Sequence, residues 1–133
     1  MELALNLGIY ESVLVLMDTM DQDVKISCNS LGSMLAEVTS GSEMTFLRTN
    51  AENYGRTFWL GGSDRASEGV WVWTTSGQGF TVTDWHTRTT HEPNNQDGNE
   101  NCLTIHKELD FEWNDDKCSN VYRFICEKPL VYS

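Results

Sequence analysis

A chain of 133 residues with 39% hydrophobic content, five Trp, five Phe and four Tyr is long enough for one aromatic-rich core and too short for two. Its 20 acidic residues outnumber 9 basic ones, and the formal net charge of -11 disfavours nucleic acid and anionic membrane surfaces, both of which reward Lys and Arg. Metal cations and neutral polar ligands remain; no apolar run approaches the roughly 20 residues that span a bilayer, so no membrane insertion is expected.

Residues 1–16 (MELALNLGIYESVLVL) are apolar like a signal peptide, but they lack a basic start and are interrupted by Asn6, Tyr10 and Glu11. They read as an N-terminal strand segment of a mature chain. Met20, Val24, Cys28 and Leu31 share one helical stripe, which predicts a helix over 20–31 with Thr19 or Asp18 as its cap and Gly32 at its end. Ser40 and Glu43 have capping-box spacing and predict a second helix that carries Met44 and Leu47 inward. The remainder reads as short strands between polar turns: YESVLVL, MLAEV, TFWLG, VWVW, CLTIH and YRFIC. Helices early and strands late predict an α+β class with a largely antiparallel sheet. No repeat, low-complexity segment or linker interrupts the chain, so residues 1–133 are expected to form a single domain.

Trp59, Trp71, Trp73 and Trp85 stand at strand spacing among glycines, which favours core positions over a stacking platform for bases or sugars. His86, His91 and His106 lack the partner pattern of a Ser or Cys nucleophile and read as surface or structural residues. Cys28, Cys102, Cys118 and Cys126 form no CxxC pair and have no His at zinc-ligand spacing. An even count in a small acidic domain predicts two disulfides and an extracellular address, with three connectivities open on spacing alone.

The densest run of side-chain oxygens is HEPNNQDGNENC, residues 91–102, shaped only by Pro93 and Gly98. A second cluster, EWNDDKC, ends at Cys118. If Cys102 bonds Cys118, the two clusters are drawn together, a geometry that suits calcium, which takes six to eight oxygen ligands from irregular loops. Acids alternate with amides here. An Asn can ligate through its carbonyl oxygen while its NH2 donates outward, and a carboxylate can ligate and accept, so the set is equipped to hold a vicinal diol.

Taken in order, CNSLGSMLAEV, FWLGGSD, VWVW, DW, EPN, ENC, WND and FICEKP resemble the C-type lectin-like domain from about Tyr10 to Pro129. The resemblance implies two helices flanking antiparallel sheets, a long calcium-binding loop region, and disulfides Cys28 to Cys126 and Cys102 to Cys118. It implies a Ca2+ site in which Glu92, Asn94, Glu100, Asn114 and Asp115 hold both metal and sugar, with a cis Pro93. In that family EPN goes with mannose, N-acetylglucosamine and fucose type ligands, and QPD with galactose, because the swap of amide and acid reverses the donor order offered to a hydroxyl pair. His91, Gln96 and Phe111 flank this site. A second calcium set would be Asp64, Glu68, Asn95 and Glu100, with Asn101 where an acid is common. Met20 stands where the family has a helix tryptophan, and the longer members' extra N-terminal disulfide hairpin is missing.

The expected function is therefore a secreted, calcium-dependent, mannose-type lectin without enzymatic activity. Paired acids such as Glu92 and Glu100 are also the equipment of glycoside hydrolysis, but their expected role as metal ligands keeps them ionised and removes the general acid. The alternatives are a galactose-type lectin, or a protein-, ice- or mineral-binding domain in which calcium is only structural. Single-site affinity near millimolar corresponds to about 4 kcal/mol, so useful binding to glycans requires several sites presented together, by a homodimer or a higher oligomer.

Overall fold

The computed structural model describes residues 2–7, 10–17, 24–30 and 32–129. Strands β1 (Glu2–Leu7) and β2 (Tyr10–Met17) are followed by helix α1 (Val24–Ser30), strand β3 (Met34–Leu35) and helix α2 (Gly41–Tyr54). Then come β4 (Phe58–Ser63), β5 (Val72–Trp73), β6 (Glu100–His106), β7 (Glu112–Lys117) and β8 (Arg123–Pro129).

The N-terminal segment expected as one strand is two antiparallel strands, Leu3 opposite Leu14 and Leu5 opposite Ser12. Helix α1 carries Cys28, fully buried, while Asp18, Thr19, Met20 and Leu31 lie outside the described residues. Helix α2 begins where the capping pattern put it. The Ser40 hydroxyl accepts the Glu43 N–H at 3.2 Å, but the Glu43 carboxylate reaches one residue further out, to the N–H of Thr39 at 2.7 Å. Glu43, Leu47 and Ala51 form its buried stripe at four-residue spacing, and Met44 is half-buried against the core. Gly55 ends it at φ 68°, donating to the carbonyls of Ala51 and Glu52 at 2.8 and 3.1 Å. Ser40→Ala is expected to cost about 1 kcal/mol, seen as a fall of a few degrees in the thermal midpoint.

The sheet runs β1-β2-β8-β4-β6-β7, with β3 on β8 and β5 on β4. Every pairing is antiparallel except β4 with β8, where Phe58 and Trp59 lie opposite Arg123 and Phe124. The class is α+β. Strand β7, EWNDDK, was not expected, because Asn and Asp are poor strand formers; six paired positions against β6 and the burial of Trp113 override that preference. Strands β3 and β5 are only two residues each, shorter than MLAEV and VWVW suggested.

The tryptophans are core residues. Trp73 and Trp113 are each 1% exposed, cross edge-to-face at 5.9 Å, and pack with Phe80, Leu103 and Ile105. Trp71 and Trp85 lie half-buried against this cluster, and Trp59 belongs to a second one with Leu35, Phe124 and the Cys28–Cys126 disulfide. Gly62 of β4 is required by this packing, since a Cβ there would meet Phe80 at 2.6 Å and Leu103 at 2.9 Å. Cys102 bonds Cys118, joining β6 to the residue that follows β7.

Candidate functional site

The site stands on the β6/β7 pair. Leu103 lies opposite Asp115 and Thr104 opposite Asn114, with a bulge between Glu100 and Cys102. Side chains alternate along β7, so Trp113 and Asp115 share one side and are buried, while Asn114 is half-exposed. The Asn114 side chain bonds none of the described residues. Segment 84–92 closes on the outer edge of β7: Trp113 N–H donates to the Asp84 carbonyl at 2.8 Å, and His86 N–H to the Trp113 carbonyl at 3.0 Å. The Glu92 N–H then donates to the His86 carbonyl at 2.9 Å, which fixes where the EPN motif starts, and the Glu92–Pro93 peptide is cis.

Asp115 holds this loop by its backbone. Its two oxygens accept the N–H groups of Asn94 at 3.1 Å and Asn95 at 2.6 Å. The Glu100 N–H donates to Asn95 Oδ1 at 2.9 Å, and Glu100 Oε1 accepts the Gln96 N–H at 2.9 Å. Glu92 is 8% exposed; its Oε2 accepts from the Thr90 hydroxyl and from Asn94 Nδ2, whereas its Oε1 is buried with no partner.

The charges of these three carboxyl groups reach one another. Burial, then the neighbouring Glu92, push Asp115 up to about 6. Burial pushes Glu100 up to about 7, with the charges of Asp115, Asp116 and Glu92 adding to it against the Gln96 N–H. Among the described residues no salt bridge neutralises Glu92 or Asp115. A buried carboxylate oxygen without a donor is costly, and a hard cation among oxygen donors is the chemistry that removes the cost. Asn94 bonds both Glu92 and Asp115, Gln96 bonds Glu100, and Asn114 stands beside Asp115 with its amide unused; among the described residues the three carboxylates do not all bring an oxygen within 4.8 Å of one another, as His86, Asp110 and Glu112 do.

The second expected set divides. Asp64 is 2% exposed and accepts the Gly69 N–H at 3.0 Å. With its amide nitrogen turned toward them, Asn101 donates to Asp64 Oδ1 at 2.9 Å and Glu68 Oε1 at 3.2 Å. Glu68 is raised chiefly by sharing a hydrogen bond with Asp64. Asn95 and Glu100 form the other half, joined to each other and not by any hydrogen bond to Asp64 or Glu68.

Sequence reasoning missed the clamp outside this loop. His86, expected as a surface or structural residue, is 1% exposed; its ring bonds Glu112 Oε1 at 3.0 Å and the Thr89 hydroxyl at 2.8 Å. Arg88 donates to Asp110 at 2.6 Å and Glu112 at 2.9 Å, and Arg48 of α2 pairs with Asp84. His86, Asp110 and Glu112 bring their ligand atoms within 4.8 Å of one another, but Arg88 already supplies the positive charge there. His106 is half-buried, its Nδ1 accepting the Glu108 N–H at 3.1 Å, and His91 is exposed. Of the flanking residues, Gln96 is exposed beside the loop, while Phe111 packs against the core.

Residues 19–128 match the sequence model of the Lectin C-type domain. The chain belongs to the C-type lectin domain family. It is 37% identical over 108 residues to perlucin of Haliotis laevigata, covering 78% of this chain and 66% of that protein. It is 36% identical over 106 residues to human C-type lectin domain family 4 member K, covering 80% of this chain and 32% of that protein. The chain thus spans from a third to two thirds of the length of these relatives. The carbohydrate-recognition domain of the mouse scavenger receptor C-type lectin superimposes with a TM-score of 0.83 at 22% identity, covering 96% of each chain. Herring type II antifreeze protein superimposes with 0.77 at 24% identity, covering 95% and 96%. One C-type lectin fold therefore carries differently named proteins, and the ligand has to be argued from the site. Among the described residues of this C-type lectin domain, no helix is long and apolar enough to cross a membrane.

Proposed function

We propose that this domain is a secreted, non-enzymatic glycan-binding module that holds calcium with Glu92, Asn94, Glu100, Asn114 and Asp115. Through that ion it would grip the vicinal hydroxyls of a mannose-type sugar. The observation that carries the reading is the buried, partnerless Oε1 of Glu92 beside the carboxyls of Asp115 and Glu100. Calcium held by these residues would supply the positive charge they lack and bind sugar hydroxyl oxygens. The chain supplies the rest. Glu92 and Glu100 accept hydrogen bonds from the sugar hydroxyls, the amides of Asn94 and Asn114 donate to them, and Asp115 fixes the loop backbone so that these groups face one way. A further ion on Asp64, Glu68, Asn95 and Glu100 would brace the same loop, provided the Asn101 amide turns its oxygen toward Asp64.

Exchanging acid and amide tests the sugar class. The double change Glu92→Gln with Asn94→Asp is expected to weaken mannose binding at least tenfold while galactose changes less, read by competition in calcium buffer; equal loss of both overturns the mannose assignment. A second reading, a calcium-ordered loop that meets protein, ice or mineral, draws on the herring antifreeze neighbour and predicts calcium binding without sugar retention.

Acid should release the ion. Metal ligands must be deprotonated, and Glu100 and Asp115 already hold protons up to about 7 and about 6. Calcium affinity is expected to fall as pH drops from about 8 to about 5, taking mannose with it; an unchanged calcium isotherm over that range contradicts the ligand set. In EDTA the slope of stability has the opposite sign. A raised native pKa means the native state binds more protons than the unfolded chain, so stability falls as pH rises from the ordinary carboxylate range through about 7.

A further inference from the structure

Between α1, β3, β4 and the loop after β4 lies a pocket of about 410 Å³, outside the Glu92 loop. Leu35, Trp59, Leu60 and Val72 give it an apolar floor, and the Cys102–Cys118 disulfide forms part of its wall. At its mouth stand Lys25 and Arg65, both exposed. Among the described residues neither has an ion-pair partner, although acids outnumber bases 20 to 9 in the chain. Arg48 and Arg88, by contrast, are each paired with carboxylates. Both cations line this one apolar pocket of a strongly acidic protein.

We infer that this pocket is a second ligand site, for a small organic anion with a flat apolar body and a single carboxylate or sulfonate. The volume suits a molecule of that size, since small-molecule sites run from about 300 to about 1,000 Å³. The apolar body would cover Trp59 and Leu60 while the anionic group meets Lys25 and Arg65. At physiological salt, charges beyond about 8 Å are screened, so the cations lining the pocket act on an anion held there more strongly than distant acids do. The alkyl stems of Lys25 and Arg65 extend the apolar wall, which lets both residues contact the body and the head of the ligand. The site shares no residue with the proposed calcium ligands and does not depend on them.

Titration with 8-anilinonaphthalene-1-sulfonate, followed by fluorescence in EDTA, tests the inference, with N-phenyl-1-naphthylamine as the same apolar body lacking the sulfonate. The expected result is saturable one-to-one binding of the sulfonate, at least fivefold tighter than the neutral probe and weakening with added salt. Lys25→Glu with Arg65→Glu, both changes at exposed positions, should weaken the sulfonate at least tenfold and leave the neutral probe within twofold. Ala66→Trp, at the pocket edge, should weaken both. Absence of saturable binding, equal affinity for the two probes, or an unchanged response in the charge-reversal variant overturns the inference. Sulfonate binding that falls as protein concentration rises, with a matching dimer in sedimentation, would mean that a second copy covers the pocket, and also overturns it. Calcium-dependent retention on mannose, measured on the same variants, reports on the Glu92 site separately.

Discussion

Asn114→Ala is expected to abolish calcium-dependent retention on mannose while leaving the fold intact. Asn114 is half-exposed, and its backbone carbonyl, not its side chain, receives the Thr104 hydroxyl at 3.2 Å. Truncation at Cβ therefore removes no hydrogen bond on which β7 depends, and stability should change by less than about 0.5 kcal/mol, as for surface substitutions generally. The binding loss has two sources, one oxygen ligand to the ion and one N–H donor to a sugar hydroxyl. Hydrogen bonds to a charged or ion-bound group contribute about 1.5–3 kcal/mol, which is at least a tenfold loss in affinity for each term. From a millimolar starting point that is no measurable monosaccharide binding. Unaltered mannose affinity in a folded Asn114→Ala protein contradicts the placement of the ion on β7.

Removal of the Cys28–Cys126 disulfide by Ala at both positions is expected to cost roughly 4–5 kcal/mol, because the bond closes a separation of 98 residues and loop entropy grows with the logarithm of length. For a domain whose whole stability is of order 5–15 kcal/mol this is a large fraction, and calorimetry should show the midpoint lower by roughly 10–20 °C. The Cys102–Cys118 bond spans 16 residues, for about 3 kcal/mol, so its global cost is smaller. Its local cost is larger, since it ties the end of β7 to β6 next to Glu100 and Asp115. The two double variants should therefore separate, the first losing more thermal stability and the second more calcium affinity. The reverse order would mean that the sheet, and not the disulfide, holds the β6/β7 end together.

Much of the fold was legible where one local pattern decides it. Ser40 three residues before Glu43 located the start of α2, and short apolar runs between polar turns at TFWLG, CLTIH and YRFIC located the central strands. Strand β7 was not legible because its partners are long-range: EWNDDK has the composition of a turn and becomes a strand only when β6 pairs with it on one side and segment 84–86 closes the other. The break of residues 1–16 into β1 and β2 was hidden by apolar residues on both sides of it.

The candidate site divides in the same way. EPN, Glu100 and WND are short motifs whose members are neighbours in the chain, so their chemistry can be read directly. The clamp of Arg48 with Asp84, Arg88 with Asp110 and His86 with Glu112 joins residues 36, 22 and 26 positions apart, and no local spacing announces it. The unused Oε1 of Glu92 is likewise a property of packing alone.

The most direct measurement is retention of the protein on immobilised mannose and galactose in calcium buffer, followed by an EDTA wash. The calcium-bridged reading predicts retention on mannose and release by EDTA, with galactose weaker. Passage through both columns by a protein that still binds calcium would contradict it, and would assign the ion to ordering a loop that meets something other than a sugar.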